Sequence, residues 1–195
     1  MYESHTPELS LVRVEVFGRR LLVETISLVD LFIADNIHAN NQELQFDQAQ
    51  IVAQNLISLA GDMADYWQVD LKQAYANRLS ELESRSSNTS KISNHQSSPS
   101  FHIEQTTNWH EIQQAQALHD YLFHQQVMNW SASQQLRHHT LHLIKLNGRL
   151  AEAIEHQNYT KFQQVYLADI LAFGVILANL TNLDLNQSGL AFNIT

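Results

Sequence analysis

Apolar residues recur every three or four positions along most of the chain, as they do on the buried face of an amphipathic helix. In one such run, Leu136, Leu143 and Leu150 follow one another at intervals of seven residues. The pattern predicts six helices, at Val12–Asn36, Gln48–Trp67, Leu71–Leu82, Asn108–Asn129, Gln134–His156 and Phe162–Leu183. Only two prolines and five glycines interrupt the chain, which favours long helices over a many-stranded sheet. We therefore predict an all-α fold.

A polar segment separates the first three predicted helices from the last three. Seven of the sixteen residues in Arg85–Ser100 are serine, and the segment has little apolar surface to offset the entropy lost on ordering. We therefore expect a flexible linker at 85–100 between two helical halves, residues 1–84 and 101–195.

The two halves share short sequences in the same order, at a spacing of about 115 residues. The aligned pairs are Glu24–Leu31 with His139–Leu146, Gln54–Ile57 with Ala168–Leu171, and Val69–Leu71 with Leu183–Leu185. Two amphipathic helical segments also share residues by chance, and that alternative stays open. We favour a tandem repeat whose halves pack together as a pseudo-dimeric helix bundle.

Asp169 is the only charged residue in the apolar helix Phe162–Leu183. A buried carboxylate is costly unless a metal ion, a cation or hydrogen bonds stabilise it, although Asp169 could also lie on a solvated edge of the helix. A membrane span is excluded because the apolar run is shorter than the ~18–20 residues that a bilayer requires and contains this aspartate.

Three short sequences follow in order in the second half: Leu150–Glu155, Tyr166–Leu171 and Leu183–Leu185. Their order resembles the all-α nucleoside-triphosphate pyrophosphohydrolases of the MazG type. In that family, one helix carries an E-x-x-E pair, the next carries an E-x-x-D pair, and a short turn leads to a further helix. The resemblance implies a magnesium-dependent hydrolase that converts a (d)NTP to the (d)NMP and pyrophosphate.

Few of the metal-binding positions of the family carry acidic residues in this chain. The E-x-x-E pair falls on Leu146 and Arg149, and of the E-x-x-D pair only Asp169 is acidic. Glu152 and Glu155 follow on about the same stripe of the preceding helix. By the resemblance, we expect Glu152, Glu155 and Asp169 to be the magnesium ligands, and no catalytic residue is assigned.

The first half has lost the acidic pair completely, since Val52 and Asn55 occupy the matching positions. Trp67, Tyr75 and Arg78 follow the family's pattern around the third helix, in the stretch that helps to hold nucleotide. The resemblance therefore implies that these three residues bind a nucleoside triphosphate.

Charge and composition narrow the range of partners. The formal net charge of −9 argues against a nucleic acid, whose binding draws on clustered Lys and Arg. The chain has no cysteine, which excludes disulfides and thiolate chemistry. Residues 1–10 lack the pattern of a signal peptide, so we expect a cytoplasmic protein.

The chain contains eleven histidines. His138 and His142 are four residues apart on a predicted helix, a spacing that lets two imidazoles bind one metal ion, but we favour solvated or core-edge histidines over a metal site. His119 and His124 do not share a face of the helix predicted at Asn108–Asn129.

Two functional classes remain open on these grounds. One is a magnesium-dependent nucleoside-triphosphate pyrophosphohydrolase with an eroded metal site. The other is a non-catalytic helical module derived from that family, which binds a nucleotide or a protein partner. In either case we expect the internal pair of halves, or a homodimer, to form the assembly.

Overall fold

The computed structural model of this protein describes residues 7–37, 42–89, 108–156 and 165–190. In these ranges the chain forms seven helices and no strand, which confirms the predicted all-α fold. The helices are α1 (Pro7–Ile37), α2 (Gln42–Trp67), α3 (Leu71–Thr89), α4 (Trp109–Phe123), α5 (Gln125–Met128), α6 (Ala132–Glu155) and α7 (Leu167–Leu180). Among these helices, none combines the length and apolar character required to cross a membrane.

Several observed helix bounds differ from the predicted ones, and α1, for example, begins at Pro7 instead of Val12. Helix α2 begins at Gln42, before the predicted start at Gln48. Helix α3 continues through Thr89, so it includes the first five residues of the predicted linker, and residues 90–100 lie outside the described ranges. The predicted helix Asn108–Asn129 is divided into α4 and α5 by His124.

Polar side chains cap the starts of α3, α4 and α6, three of the four helices that line the site described below. Asn108 and Glu111 form a reciprocal capping box at the start of α4, and Ser131 and Gln134 form another at the start of α6. Asp70 accepts a hydrogen bond from the Gln73 backbone N–H (2.9 Å) at the start of α3. These contacts satisfy N–H groups that a helix leaves without intrahelical partners.

Helix α7 is the centre of the bundle. It packs on α2, α3, α4 and α6, and its contact with α2 is the most extensive between any two described helices. Gly174 makes this close approach feasible, because a Cβ atom there would lie 2.6 Å from Ile57 Cγ1 and 3.1 Å from the Ala53 carbonyl oxygen. The core therefore joins residues of both halves of the chain.

Helix α1 packs on α6, again across the two halves. Leu21 and Leu28 of α1, like Leu143 of α6, are almost fully buried. Within this layer, Asn147 Nδ2 donates a hydrogen bond to Thr25 Oγ1 (2.7 Å).

Helices α2 and α7 end in the same backbone motif. Gln68 and Asn182 have left-handed φ values of 54° and 56°, and the N–H groups of Val69 and Leu183 donate to carbonyls five residues earlier, at 3.0 and 2.8 Å. This is the Schellman arrangement of a helix C-terminus. Beyond it the halves diverge, because Asp70 begins a long helix whereas residues 184–188 form turns.

Candidate functional site

A pocket of about 310 Å³ opens between α3, α4, α6 and α7. Its lining is unusual for an acidic protein, since five histidines and three basic side chains outnumber two carboxylates, Asp120 and Asp169. This volume lies at the lower end of the range of ~300–1,000 Å³ typical of small-molecule sites.

Arg78 and Asp169 form an ion pair in one wall of the pocket. The guanidinium donates from Nε to Asp169 Oδ1 (2.6 Å) and from Nη2 to Asp169 Oδ2 (3.1 Å), and its Nη1 atom donates to Glu81 (2.8 Å). Burial raises the pKa of Asp169 above its ordinary value, although the hydrogen bonds and charge of Arg78 oppose that shift. Both carboxylate oxygens of Asp169 are therefore occupied by one arginine.

A chain of buried polar groups reaches the opposite wall. Tyr75 Oη donates to Gln116 Oε1 (2.6 Å), and Gln116 Nε2 donates to Asp120 Oδ1 (2.8 Å). Burial, with the nearby Asp120 carboxylate, raises the pKa of Tyr75 well above its ordinary value, so the phenol stays protonated and acts as the donor. The chain fixes the position of the Asp120 carboxylate.

His119, Asp120 and His124 meet where α4 ends. Each offers one ligand atom, and these atoms all lie within 4.8 Å of one another. His119 and Asp120 are buried, whereas His124 is exposed. This group of three could hold a metal ion, and it is the only such group among the residues that the structure describes.

The remaining three histidines of the pocket come from α6. The ring centroids of His138 and His142 are 4.5 Å apart, and those of His138 and His139 are 5.3 Å apart. Burial lowers the pKa of His139 to about 4, and burial together with nearby cations lowers the pKa values of His138 and His142. These imidazoles are therefore largely uncharged at neutral pH.

Lys145 and Arg149 lie one turn apart on α6, and both line the pocket while remaining exposed to solvent. Within the described ranges, neither has a carboxylate close enough to form a salt bridge. Since the three histidines of α6 are largely uncharged, Lys145 and Arg149 supply positive charge at the mouth of the pocket.

The expected magnesium ligands are dispersed. Asp169 lines the pocket, but Glu152 and Glu155 are exposed near the end of α6 and do not contribute to its lining. The group around Asp120 that could hold a metal ion shares no residue with the expected set.

The expected nucleotide-binding residues are also dispersed. Arg78 lines the pocket, and Tyr75 is fully buried behind it. Trp67 lies elsewhere, with its ring 5.4 Å from that of Phe17. Of the six residues singled out from the sequence, the structure brings Arg78 and Asp169 into direct contact.

In the first half, the position that matches Asp169 has a different environment. Asn55 is exposed and donates from Nδ2 to Glu24 Oε1 (3.1 Å), and Val52 is buried in the core. The pocket therefore belongs to the second half, with one wall supplied by α3.

Sequence reasoning missed the grouping of His119 with His124, because it considered only whether they share one face of the helix predicted at Asn108–Asn129. It assumes a continuous helix, in which residues five apart diverge. In the structure α4 ends at Phe123, and His124 leaves helical geometry with φ −125° and ψ 32°, which returns its ring to within 5.6 Å of the His119 ring. No signal in the sequence marks this break, because neither glycine nor proline lies near it.

Comparison with known proteins adds no relative. No family model, no curated protein and no solved structure matches this chain. Any functional proposal therefore depends on the site itself and on the sequence resemblance.

Proposed function

We propose that this chain is a tandem MazG-like helix bundle that binds a nucleoside triphosphate in the pocket between α3, α4, α6 and α7 without hydrolysing it. The observation that carries the proposal is the pair of cations at the pocket mouth. Arg149 occupies a position at which the family has a metal-binding glutamate, and Lys145 lies one turn before it.

The packing of each helix against its aligned counterpart supports the tandem arrangement. Helices α1 and α6, which contain the aligned stretches Glu24–Leu31 and His139–Leu146, pack on each other, as do the aligned α2 and α7. Thr25 and Thr140 both donate from Oγ1 to the carbonyl of the leucine four residues earlier, at 2.8 and 2.9 Å. The shared Schellman motifs at Gln68 and Asn182 add a further match.

Loss of hydrolysis is supported by the surroundings of Asp169. Magnesium requires oxygen ligands in near-octahedral geometry, and both oxygens of this carboxylate accept hydrogen bonds from Arg78. Leu146 and Arg149, at the E-x-x-E positions, both line the pocket and offer no oxygen. The family's metal site has therefore no complete set of ligands in this pocket.

Binding of a triphosphate is supported by charge. Lys145 and Arg149 can both donate to phosphate oxygens, and neither forms a salt bridge within the described residues, although Asp169 interacts electrostatically with Arg149. The mostly neutral histidines add further polar groups without adding positive charge. A cationic mouth in a chain of net charge −9 selects for a small anion over a nucleic acid. A nucleotide ligand also agrees with the cytoplasmic location that the sequence leads us to expect.

The second candidate is the magnesium-dependent pyrophosphohydrolase, and the presence of Asp120 in the same pocket as Asp169 favours it. Under this alternative, Asp169 would leave Arg78 and bind Mg²⁺ together with Asp120 and the triphosphate. The family's activity would then persist through a different set of ligands.

One experiment separates the two candidates. Binding of a panel of nucleoside triphosphates is measured by calorimetry in EDTA, and pyrophosphate release is measured with Mg²⁺ or Mn²⁺. We expect binding without pyrophosphate. Release of pyrophosphate that Asp169→Asn abolishes would establish the enzyme instead.

The cations are tested with a double variant and a matched control. Lys145→Gln with Arg149→Gln removes charge-assisted hydrogen bonds worth about 1.5–3 kcal/mol in total, which weakens binding about 10–100-fold. Arg19→Gln removes an exposed cation of α1, on another face, and should leave affinity unchanged. Equal binding by the double variant and the parent would exclude this pocket as the nucleotide site.

A further inference from the structure

We propose that His119, Asp120 and His124 form a binding site for a divalent transition-metal ion of the Zn²⁺ or Co²⁺ type. The site lies in the same pocket but does not depend on the proposed nucleotide function, because the three side chains alone supply the ligands. It also differs from the magnesium site that the family resemblance implies.

The geometry of the three side chains already approaches that of a bound site. His119 Nδ1 and Asp120 Oδ1 are 3.6 Å apart, and the most distant pair of ligand atoms in the group is within 4.8 Å. Ligand atoms at about 2.0–2.2 Å from one ion are separated by about 3–4 Å, so only a small adjustment is needed. His124 can supply it, because its side chain is exposed beyond the end of α4.

The charge of Asp120 also calls for a cation. Its carboxylate is buried, and in the described part of the chain no lysine or arginine forms a salt bridge with it. Removing a carboxylate from water is costly unless an opposite charge lies beside it. A divalent ion between His119, Asp120 and His124 provides that charge.

The carboxylate is held in place from behind, as metal-binding groups usually are. Gln116 Nε2 donates to Asp120 Oδ1, and Tyr75 Oη in turn donates to Gln116. All three residues are buried, so this support is rigid and shielded from water.

The donor set decides which ion binds. Two imidazole nitrogens and one carboxylate oxygen suit Zn²⁺, Co²⁺, Ni²⁺ or Fe²⁺, whereas Mg²⁺ prefers oxygen ligands throughout. Three protein ligands leave at least one coordination position for water or for a ligand that enters the pocket.

His138 and His142 form the competing site, because they are four residues apart on α6 with ring centroids 4.5 Å apart. This pair offers two ligands, whereas the group around Asp120 offers three with a carboxylate among them. The carboxylate adds both charge and a third bond, which favours the group at the end of α4.

The test uses the full chain, freed of metal with EDTA and then dialysed. Zn²⁺ binding is measured by calorimetry, and Co²⁺ binding is followed through its visible absorption. We expect one ion per chain, displacement of Co²⁺ by Zn²⁺, and no heat from Mg²⁺. His124→Gln and Asp120→Asn should each weaken Zn²⁺ binding by more than the about 10–100-fold that loss of a supporting residue costs.

Two control variants make the result specific. His110→Gln changes an exposed histidine of α4 outside the pocket, and it should bind Zn²⁺ as the parent does. The double variant His138→Gln with His142→Gln should also retain binding. The proposal is overturned if the parent binds no Zn²⁺, if His124→Gln binds it as tightly as the parent, or if only the α6 double variant loses it. Since nucleotide is absent throughout, these outcomes are separate from those that test nucleotide binding.

Discussion

Gly174 of α7 faces Ile57 of α2 so closely that a methyl group on its Cα atom would lie 2.6 Å from Ile57 Cγ1. The Ala53 carbonyl oxygen and the Ile57 backbone nitrogen, at 3.1 and 3.3 Å, close the same space. Backbone atoms cannot move aside as the end of a flexible side chain can. The two central helices therefore approach each other so closely at Gly174 that there is no room for a Cβ atom.

Replacing Gly174 with alanine should lower the free energy of unfolding by about 1–3 kcal/mol, the usual cost of overpacking a core. Gly61→Ala is the matched control, since Gly61 also lies inside a helix but has nothing within 4 Å of its added methyl group. This change should stabilise the protein by up to about 1 kcal/mol, because alanine favours helix over glycine. Urea unfolding measures both, and equal stability of the two variants would contradict the tight crossing.

The ion pair between Arg78 and Asp169 should stabilise the folded protein, and Asp169 should not bind magnesium. Asp169→Asn removes charge-assisted hydrogen bonds in a largely buried place and should cost about 1.5–3 kcal/mol. Asp62→Asn is the control, because Asp62 pairs with Arg20 at 2.6 Å but both side chains are about half exposed, and such a pair contributes less than about 1 kcal/mol. Thermal melts with and without millimolar Mg²⁺ decide the role of Asp169. A magnesium-linked rise in Tm that Asp169→Asn removes would restore it as a ligand.

His139 should make the protein less stable in acid. Its pKa is lowered from 6.5 to about 4 by burial, so between these pH values the unfolded chain binds a proton that the folded chain does not. The contribution of neutral His139 to the free energy of unfolding is fully present above the unfolded pKa. It falls by about 3 kcal/mol in total as the pH is lowered from about 6.5 to about 4.

His139→Gln removes this contribution. The difference in unfolding free energy between pH 7 and about pH 4 should therefore be smaller in the variant than in the parent, by about 3 kcal/mol. The raised pKa of Asp169 acts in the opposite direction but is common to both proteins. Identical pH dependence of the two proteins would show that His139 is not the group responsible.

The helical fold could be predicted from sequence because local periodicity determines it. Leu136, Leu143 and Leu150 recur every seven residues, and all three are buried in α6. The residues at which helices end were harder to predict from the sequence. The break at His124 has no glycine or proline to mark it.

The site could be predicted only in part, for a related reason. Arg78 and Asp169 both stand out in the sequence, but they are 91 residues apart, and no spacing rule shows that they bond to each other. No feature of the sequence singles out Asp120 as a functional residue. Its significance depends on Gln116 and on Tyr75 from the other half, and these are contacts that only folding creates.

The pairing of α1 with α6 and of α2 with α7 implies that the two halves of this chain share much of their interior. Residues 1–89 and 108–195, produced as separate polypeptides, would each leave the apolar face of a central helix in water. Mixed together, they should complement each other, as the subunits of an obligate heterodimer do. The covalent connection between them then acts as a tether that sets an effective concentration. Separated in this way, the two polypeptides would behave as the subunits of one complex.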